Sequence, residues 1–209
     1  MDIHFGIIVL IINVLTTASA IWGMQCKQMK FVITGQLVSN ILLGVQYVLQ
    51  DALSAAITLP PALALSLISL ILTEKGKDAP RWLIGGFIAI FAGVVFLPML
   101  INGEVFSAKM LISNVLMFAA LCFFVLSITS KKSYRARICS ATNCLLWLIY
   151  DIMNAPTTVL THGILLAFIV IGMIRLDREE WKRMLGISPR AALEERPSED
   201  EFDGSDKKV

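Results

Sequence analysis

The chain has 209 residues, of which 56% are hydrophobic and only 16% are charged. Soluble domains usually carry about 25% charged residues, so the composition excludes an ordinary soluble fold and favours an integral membrane protein. The formal net charge of +2 is too small to indicate nucleic acid as a partner, and no basic run with interleaved aromatic residues occurs. The lipid bilayer is therefore the expected partner of most of the chain.

Seven apolar segments are long enough, or nearly long enough, to cross a membrane as helices. Spanning ~30 Å of hydrocarbon takes about 20 helical residues. The segments are 3–24, 31–50, 52–73, 82–101, 108–129, 137–154 and 156–175. The sixth is the shortest and most polar, which indicates that its neighbours shield it from lipid. The sequence predicts an all-α, polytopic membrane protein with seven transmembrane helices.

The connections between the predicted helices are short in two places. The chain turns at Asp51 and at Ala155-Pro156, so helices 2 and 3, and helices 6 and 7, should form antiparallel hairpins. Pro60 and Pro61 remove two backbone donors within the third segment, which predicts a kink. The kink is either a hinge for movement of the helix or a static bend without a functional role.

The distribution of basic residues predicts the orientation. Cytoplasmic loops carry an excess of Lys and Arg. The first, third and fifth loops hold nine of them and the second, fourth and sixth hold only Lys109; the nine are Lys27, Lys30, Lys75, Lys77, Arg81, Lys131, Lys132, Arg135 and Arg137. Trp22, Trp82 and Trp181 also fall at the same boundaries, where aromatic rings anchor helices. The N-terminus is therefore expected outside and the C-terminus in the cytoplasm.

The character of the chain changes after Leu176. The segment 177–187, DREEWKRMLGI, forms either a short helix on the inner membrane surface or a solvated helical extension. From Ser188 the sequence is polar and acidic, and it cannot bury enough apolar area to offset the entropy of ordering. We expect the cytoplasmic tail to be disordered there.

The chain contains an internal repeat. A shift of 103 positions aligns residues 31–75 with 134–178 without a gap, and it places Asn40 on Asn143 and Tyr47 on Tyr150. Because one extra span separates the halves, both have the same orientation, as in transporters built from parallel repeats. The repeat is also compatible with gene duplication without transport. The predicted organisation is a three-helix repeat (1–75), a linker helix (76–103), a second three-helix repeat (104–178) and a tail (179–209).

Two stretches carry a family resemblance. AIWGMQCKQMKFVITGQLVSNILLGVQYVL and YRARICSATNCLLWLIYDIMNAPTTVLTHGILLAFIVIGMIRL resemble the two halves of the YgjV-type bacterial inner-membrane proteins. That family is similar to the wider 3+1+3 group of SWEET sugar facilitators and PnuC vitamin transporters. The resemblance implies a location in the bacterial inner membrane and passive movement of a small polar solute. The chain lacks the Pro-Gln pair and core prolines of SWEET proteins, so no binding residue is transferred from them.

Polar stripes occur once in each half. In helix 2 and in helix 6, amide, phenol and aromatic side chains fall within an arc of about 60° at 100° per residue. Polar side chains are disfavoured against lipid, so both stripes should face the interior. Either they line a central cavity that binds solute, or they hydrogen-bond across helices as packing contacts. The cavity hypothesis names Asn13, Asn40, Tyr47, Asn114, Asn143, Trp147 and Tyr150.

Few titratable groups lie inside the predicted spans. Asp51 and Asp151 are either solvated residues at helix ends or participants in proton coupling. His162 is either a hydrogen-bonded packing residue or a group that titrates near neutral pH. If the chain were an intramembrane enzyme, Asp151 and His162 would be the candidate residues, and nothing in the sequence places them together.

The sequence indicates transport rather than catalysis. It has no HExxH pair, no Walker loop and no Ser-His constellation, so no enzyme activity, cofactor or metal is expected. The four cysteines lack CxxC spacing and are expected to be free thiols. The leading hypothesis is a facilitator of a small polar solute by alternating access. The alternative is a non-transporting receptor or partner-binding scaffold, and the sequence does not indicate whether the chain forms a homo-oligomer.

Overall fold

The computed structural model describes residues 3–49, 57–101, 107–154 and 159–184, and over these residues the protein is all-α. Each of the seven predicted segments overlaps one of the first seven described helices, so the prediction of an all-helical protein is confirmed over these residues. The helices are α1 (Ile3–Met24), α2 (Met29–Leu49), α3 (Leu59–Glu74), α4 (Arg81–Ile101), α5 (Ala108–Ile128), α6 (Ser133–Asn154), α7 (Val159–Leu176) and α8 (Arg178–Met184).

The chain divides into two compact units. Residues 1–176 form the first, which contains α1–α7, and residues 177–209 form the second. Within the second unit the structure describes α8, where Lys182 Nζ lies 3.0 Å from Glu179 Oε1 one turn earlier. The predicted disordered tail from Ser188 onward lies outside the described residues.

Four of the described helices are long and apolar enough to cross a membrane, by length and composition. They lie in α1, α4, α5 and α7, over Gly6–Met24, Arg81–Pro98, Ala108–Ile128 and Val159–Leu176. Large apolar side chains on these helices point outward; Leu10 is 62% exposed and Leu160 is 72% exposed. Such surface is unfavourable in water and favourable in lipid. The protein is therefore a membrane protein.

The remaining helices of the bundle pack against these apolar helices. α2 packs on α1 and α3, and α6 packs on α5 and α7. The two groups meet where α1 contacts α7 and where α3 contacts α5. α4 lies against α5 and α3, and Leu65, Phe91 and Val125 from these three helices are fully buried together. The more polar α2 and α6 therefore each have apolar helices on both sides.

The basic loops meet at one end of the bundle. Lys131 Nζ, just after α5, lies 2.5 Å from Asp78 Oδ2, just after α3. Arg137 is fully buried, and its guanidinium donates to the backbone carbonyls of Met24 and Cys26 at the end of α1. Lys131 thus joins the loops after α3 and α5, and Arg137 joins the start of α6 to the end of α1 and the loop that follows it.

The two prolines of the third segment do not kink the described helix. α3 begins at Leu59, so Pro60 and Pro61 occupy its first turn. Backbone N–H groups in the first turn have no acceptor within the helix, and proline is favoured there because it lacks that group. In the described helix the two prolines therefore lie at the start and not in the middle, and because residues 52–56 of the predicted segment lie outside the described residues, the kink stays a prediction. The proline that lies inside a described helix is Pro98 of α4.

Candidate functional site

A cavity of about 140 Å³ lies within the bundle, between α1, α2, α3, α5, α6 and α7. One water molecule needs about 10–15 Å³ of such space, so the cavity has room for a small solute. Four of the residues predicted from the polar stripes line it: Asn13, Asn40, Asn143 and Trp147. They come from α1, α2 and α6, so one cavity is lined by amides from both predicted repeats.

The other three predicted residues are placed differently. Asn114 is half-buried on α5 and is not part of the cavity wall. Tyr150 also lies off the wall; its ring packs edge-on against that of Trp147, with the centroids 5.3 Å apart and the planes at 80°. The side chain of Tyr47 lies outside the described part of the chain. Tyr150 thus supports the Trp147 ring rather than facing the cavity itself.

Three polar atoms on the cavity wall are buried without a partner. Among the residues that the structure describes, Asn40 Nδ2, Gln46 Oε1 and Asn143 Oδ1 are inaccessible and form no hydrogen bond. Leaving a buried polar group unsatisfied costs about 1–3 kcal/mol, and such groups are uncommon in folded proteins. Together they offer one donor and two acceptors, which is what a ligand bearing hydroxyl or amide groups would satisfy.

Other polar groups of the stripes do form contacts between helices. Gln36 Nε2 of α2 donates to Ser140 Oγ of α6 at 3.3 Å, and Ser140 Oγ lies 2.6 Å from Ser127 Oγ of α5. Thr161 Oγ1 of α7 donates to Asn13 Oδ1 of α1 at 3.4 Å. Gln36, Ser140, Asn13 and Thr161 also line the cavity, so the same polar groups join helices and form part of the cavity wall.

Asp151 and His162 are brought together on one side of the cavity. Asp151 Oδ2 lies 2.5 Å from His162 Nδ1, and Asp151 is only 4% exposed. The interpretation of Asp151 as a solvated helix-end residue is therefore wrong. His162 lines the cavity, and its ring lies parallel to that of Trp147, with the centroids 6.2 Å apart and the planes at 10°. Asp51 lies outside the described residues.

The sequence contains a signal for this pair. The predicted turn at Ala155-Pro156 lies between Asp151 and His162, four residues after the first and six before the second. In an antiparallel helix pair, residues at similar distances from the turn lie at similar heights, so these two meet if both face inward. Gln46 is one cavity residue that the stripes missed, because it lies on α2 next to the predicted Tyr47 and outside the chosen arc.

The described residues contain no group of three or more His, Cys, Asp or Glu side chains suited to hold a metal ion. The four cysteines are free thiols, as predicted. Cys144 is buried, and its Sγ donates to the backbone carbonyl of His162 at 3.2 Å. That contact ties α6 to α7 beside the Asp151–His162 pair.

Comparisons with family models, with curated proteins and with solved structures found no match to this chain.

Proposed function

We propose that this chain is a multi-pass protein of the bacterial inner membrane that facilitates passage of a small polar solute by alternating access. The observation that carries the proposal is the cavity with unpartnered amide atoms from both halves, Asn40 and Gln46 on α2 and Asn143 on α6. A bundle held together only by packing would be expected to pair these atoms with one another. The three residues that carry these atoms all line one cavity, which supports a binding role.

The arrangement of helices supports two parallel repeats. In the proposed 3+1+3 organisation, α1 corresponds to α5 and α3 corresponds to α7. The observed contacts of α1 with α7 and of α3 with α5 are then equivalent, as an axis along the membrane normal would produce. α4 packs outside this arrangement, against α3 and α5, in the place of a linker helix.

We further propose that α1–α7 all span the membrane. α2 and α6 are 21 and 22 residues long, or roughly 30 Å at about 1.5 Å per residue. Their polar faces are directed toward the cavity, which removes the main cost of placing them in lipid. The loops gathered by Lys131 and Arg137 would form the cytoplasmic end, with the N-terminus outside, and membership of the YgjV-type family is part of the same proposal.

The chemistry of the wall indicates the class of solute. Amides supply both donors and acceptors, and Trp147 supplies a flat aromatic face. His162 is the one acidic or basic side chain among the described residues that line the cavity. A neutral polyol or a heteroaromatic ring fits such a wall better than a strongly charged molecule.

The test is uptake into proteoliposomes of a panel of radiolabelled sugars, vitamins and nucleosides. We expect protein-dependent entry of at least one member. Asn143→Ala and Trp147→Ala should each lower entry about threefold to tenfold, because a hydrogen bond or ring contact worth ~0.5–1.5 kcal/mol is lost. Leu145→Ala is the matched control, since Leu145 is an exposed residue of the same helix.

Two results would contradict the proposal. Equal entry in wild type, Asn143→Ala and Trp147→Ala would show that the cavity is not the path. Absence of protein-dependent entry across the whole panel, with correctly inserted protein, would favour the non-transporting receptor or scaffold.

A further inference from the structure

We propose that Asp151 and His162 form a proton-binding site in the cavity wall, and that the solute crosses together with a proton. The second part rests on the proposed transport function, whereas the first does not. The geometry that points to it is a buried carboxylate in contact with an imidazole that itself faces the cavity.

The contact determines which nitrogen of His162 takes up the proton. Asp151 Oδ2 lies 2.5 Å from His162 Nδ1, so a neutral imidazole donates its Nδ1–H to the carboxylate. The tautomer is thereby set, and the lone pair of Nε2 remains free to accept a proton. Asp151 is a positioning residue here, and His162 carries the proton.

Few other charged groups occur on the described parts of the helices around the pair. Cys144 and Tyr150 are titratable groups near Asp151, and both lie on its own helix. Residues 6–24 of α1 and 31–49 of α2 contain no Asp, Glu, Lys, Arg or His, and α5 contributes only Lys109, at its start. Among the described residues, the carboxylate of Asp151 is thus the partner that a protonated His162 contacts beside the cavity.

Proton uptake changes the charge of the site in a defined way. Before uptake, the pair is a carboxylate with a neutral imidazole, with a net charge of −1. A proton from hydronium in water on one side forms the N–H bond at Nε2, and the pair becomes neutral overall. A neutral pair is less costly in a low-dielectric bundle than a lone carboxylate. On the other side the N–H bond breaks and the proton returns to water, with no electron transfer.

Trp147 is placed to favour the protonated state and to report on it. Its ring is parallel to that of His162, with the centroids 6.2 Å apart. A cation next to an aromatic face is attracted by the ring quadrupole. A solute that stacks on Trp147 would therefore contact a ring that lies next to His162. Solute binding and proton binding would then affect each other through Trp147.

The first test measures the proton site without any solute. The chain has two histidines, so His4→Gln leaves His162 as the one imidazole, and ¹⁵N-imidazole spectra of that variant in lipid vesicles report on it alone. On acidification, we expect a neutral form with its proton on Nδ1 to convert to imidazolium. Asp151→Leu, which has no acceptor, should lose the preference for Nδ1–H. A ring that stays neutral throughout, or the same single tautomer in Asp151→Leu, would overturn the site.

The second test measures coupling in vesicles loaded with a pH-sensitive dye, using the solute panel. We expect solute entry to acidify the lumen in wild type and in the control His4→Gln, whereas any solute entry that His162→Gln retains should proceed without acidification. Entry in wild type without acidification would overturn the coupling and leave the proposed function intact. Absence of entry for every solute would overturn the proposed function and the coupling with it, while the spectra would still decide the proton site.

Discussion

Gln46 shows at the residue scale how a binding group differs from a packing group. It is 4% exposed, and its Oε1 has no partner among the described residues. Gln36 lies ten residues earlier on the same helix, and its Nε2 donates to Ser140 Oγ. Two glutamines on one helix both line the cavity, yet they differ: Gln36 also joins α2 to α6, whereas Gln46 carries an acceptor with no partner among the described residues.

Replacement of each glutamine by methionine tests this difference. Gln46→Met removes an unsatisfied acceptor, so thermal stability in detergent should be unchanged or higher, while solute entry should fall. Gln36→Met removes a hydrogen bond and leaves Ser140 with one partner fewer, so unfolding should cost about 1 kcal/mol less. Thermal unfolding followed by circular dichroism measures both. Equal destabilisation by the two variants would assign Gln46 to packing.

Arg137 and Asp151 show what residue type alone cannot predict. Both were interpreted from the sequence as residues near water, one in a basic loop and one at a helix end. Arg137 is 0% exposed, and its guanidinium donates hydrogen bonds to backbone carbonyls. Asp151 is 4% exposed and contacts His162. Hydropathy assigns a charged residue to water unless a partner from another helix is known.

At the element scale, the tightest feature is the crossing of α1 and α2. A Cβ added to Gly35 would lie 2.7 Å from Gly23 Cα and 2.8 Å from Ser19 O, which is backbone that cannot move aside independently. Membrane helices use small residues where they cross closely, because backbone contact replaces the hydrophobic driving force that lipid removes. This crossing holds α2 at the height that brings Asn40 and Gln46 to the cavity.

Gly35→Ala should therefore destabilise the protein by about 1–3 kcal/mol, the range for inserting a methyl group into a packed interface. Gly93→Ala in α4 is the control, because a Cβ there meets nothing within 4 Å. That variant should be neutral or stabilising by up to ~1 kcal/mol, since alanine is the better helix former. Thermal unfolding of the two variants in detergent measures this difference in stability. Equal stability of Gly35→Ala and Gly93→Ala would contradict the close crossing of α1 and α2.

The helix positions were predictable, whereas the rotation of the helices was not. The sequence placed α1 at 3–24 and α5 at 108–129, and the structure has Ile3–Met24 and Ala108–Ile128. A helix that crosses lipid must be long and apolar, which is a local property. Which side of α6 faces the cavity depends on its neighbours, and at 100° per residue Trp147 lies on the cavity wall whereas Tyr150 lies off it.

At the scale of the whole molecule, the basic loops determine the proposed sidedness. The ion pair of Lys131 with Asp78 places the loops after α3 and α5 at the same end. Ser107 caps the start of α5, and its side chain accepts from Met110 N at 3.1 Å. Because α5 has 21 residues, Ser107 lies roughly 30 Å from Lys131 along the helix axis.

Labelling with a membrane-impermeant maleimide tests the orientation in a background without native cysteines. Lys75→Cys and Lys131→Cys should react only after the cells are opened, whereas Ser107→Cys should react in intact spheroplasts. All three side chains are exposed, so differences in reactivity report on the side of the membrane. Reaction of Lys75→Cys and Lys131→Cys on opposite sides would contradict both the shared end of the bundle and the seven-span topology.

The sequence by itself determined that this is a helical membrane protein, where its helices lie, and that amides and aromatic rings repeat in its two halves. These properties follow from the length and polarity of each segment, because a segment's stability in the bilayer depends mainly on its own residues. Only the tertiary structure decided that Gln46 faces the cavity, that Tyr150 stands behind Trp147, and that Asp151 meets His162. Such contacts join residues on different turns or helices, and they depend on helix rotation and packing that hydropathy does not encode.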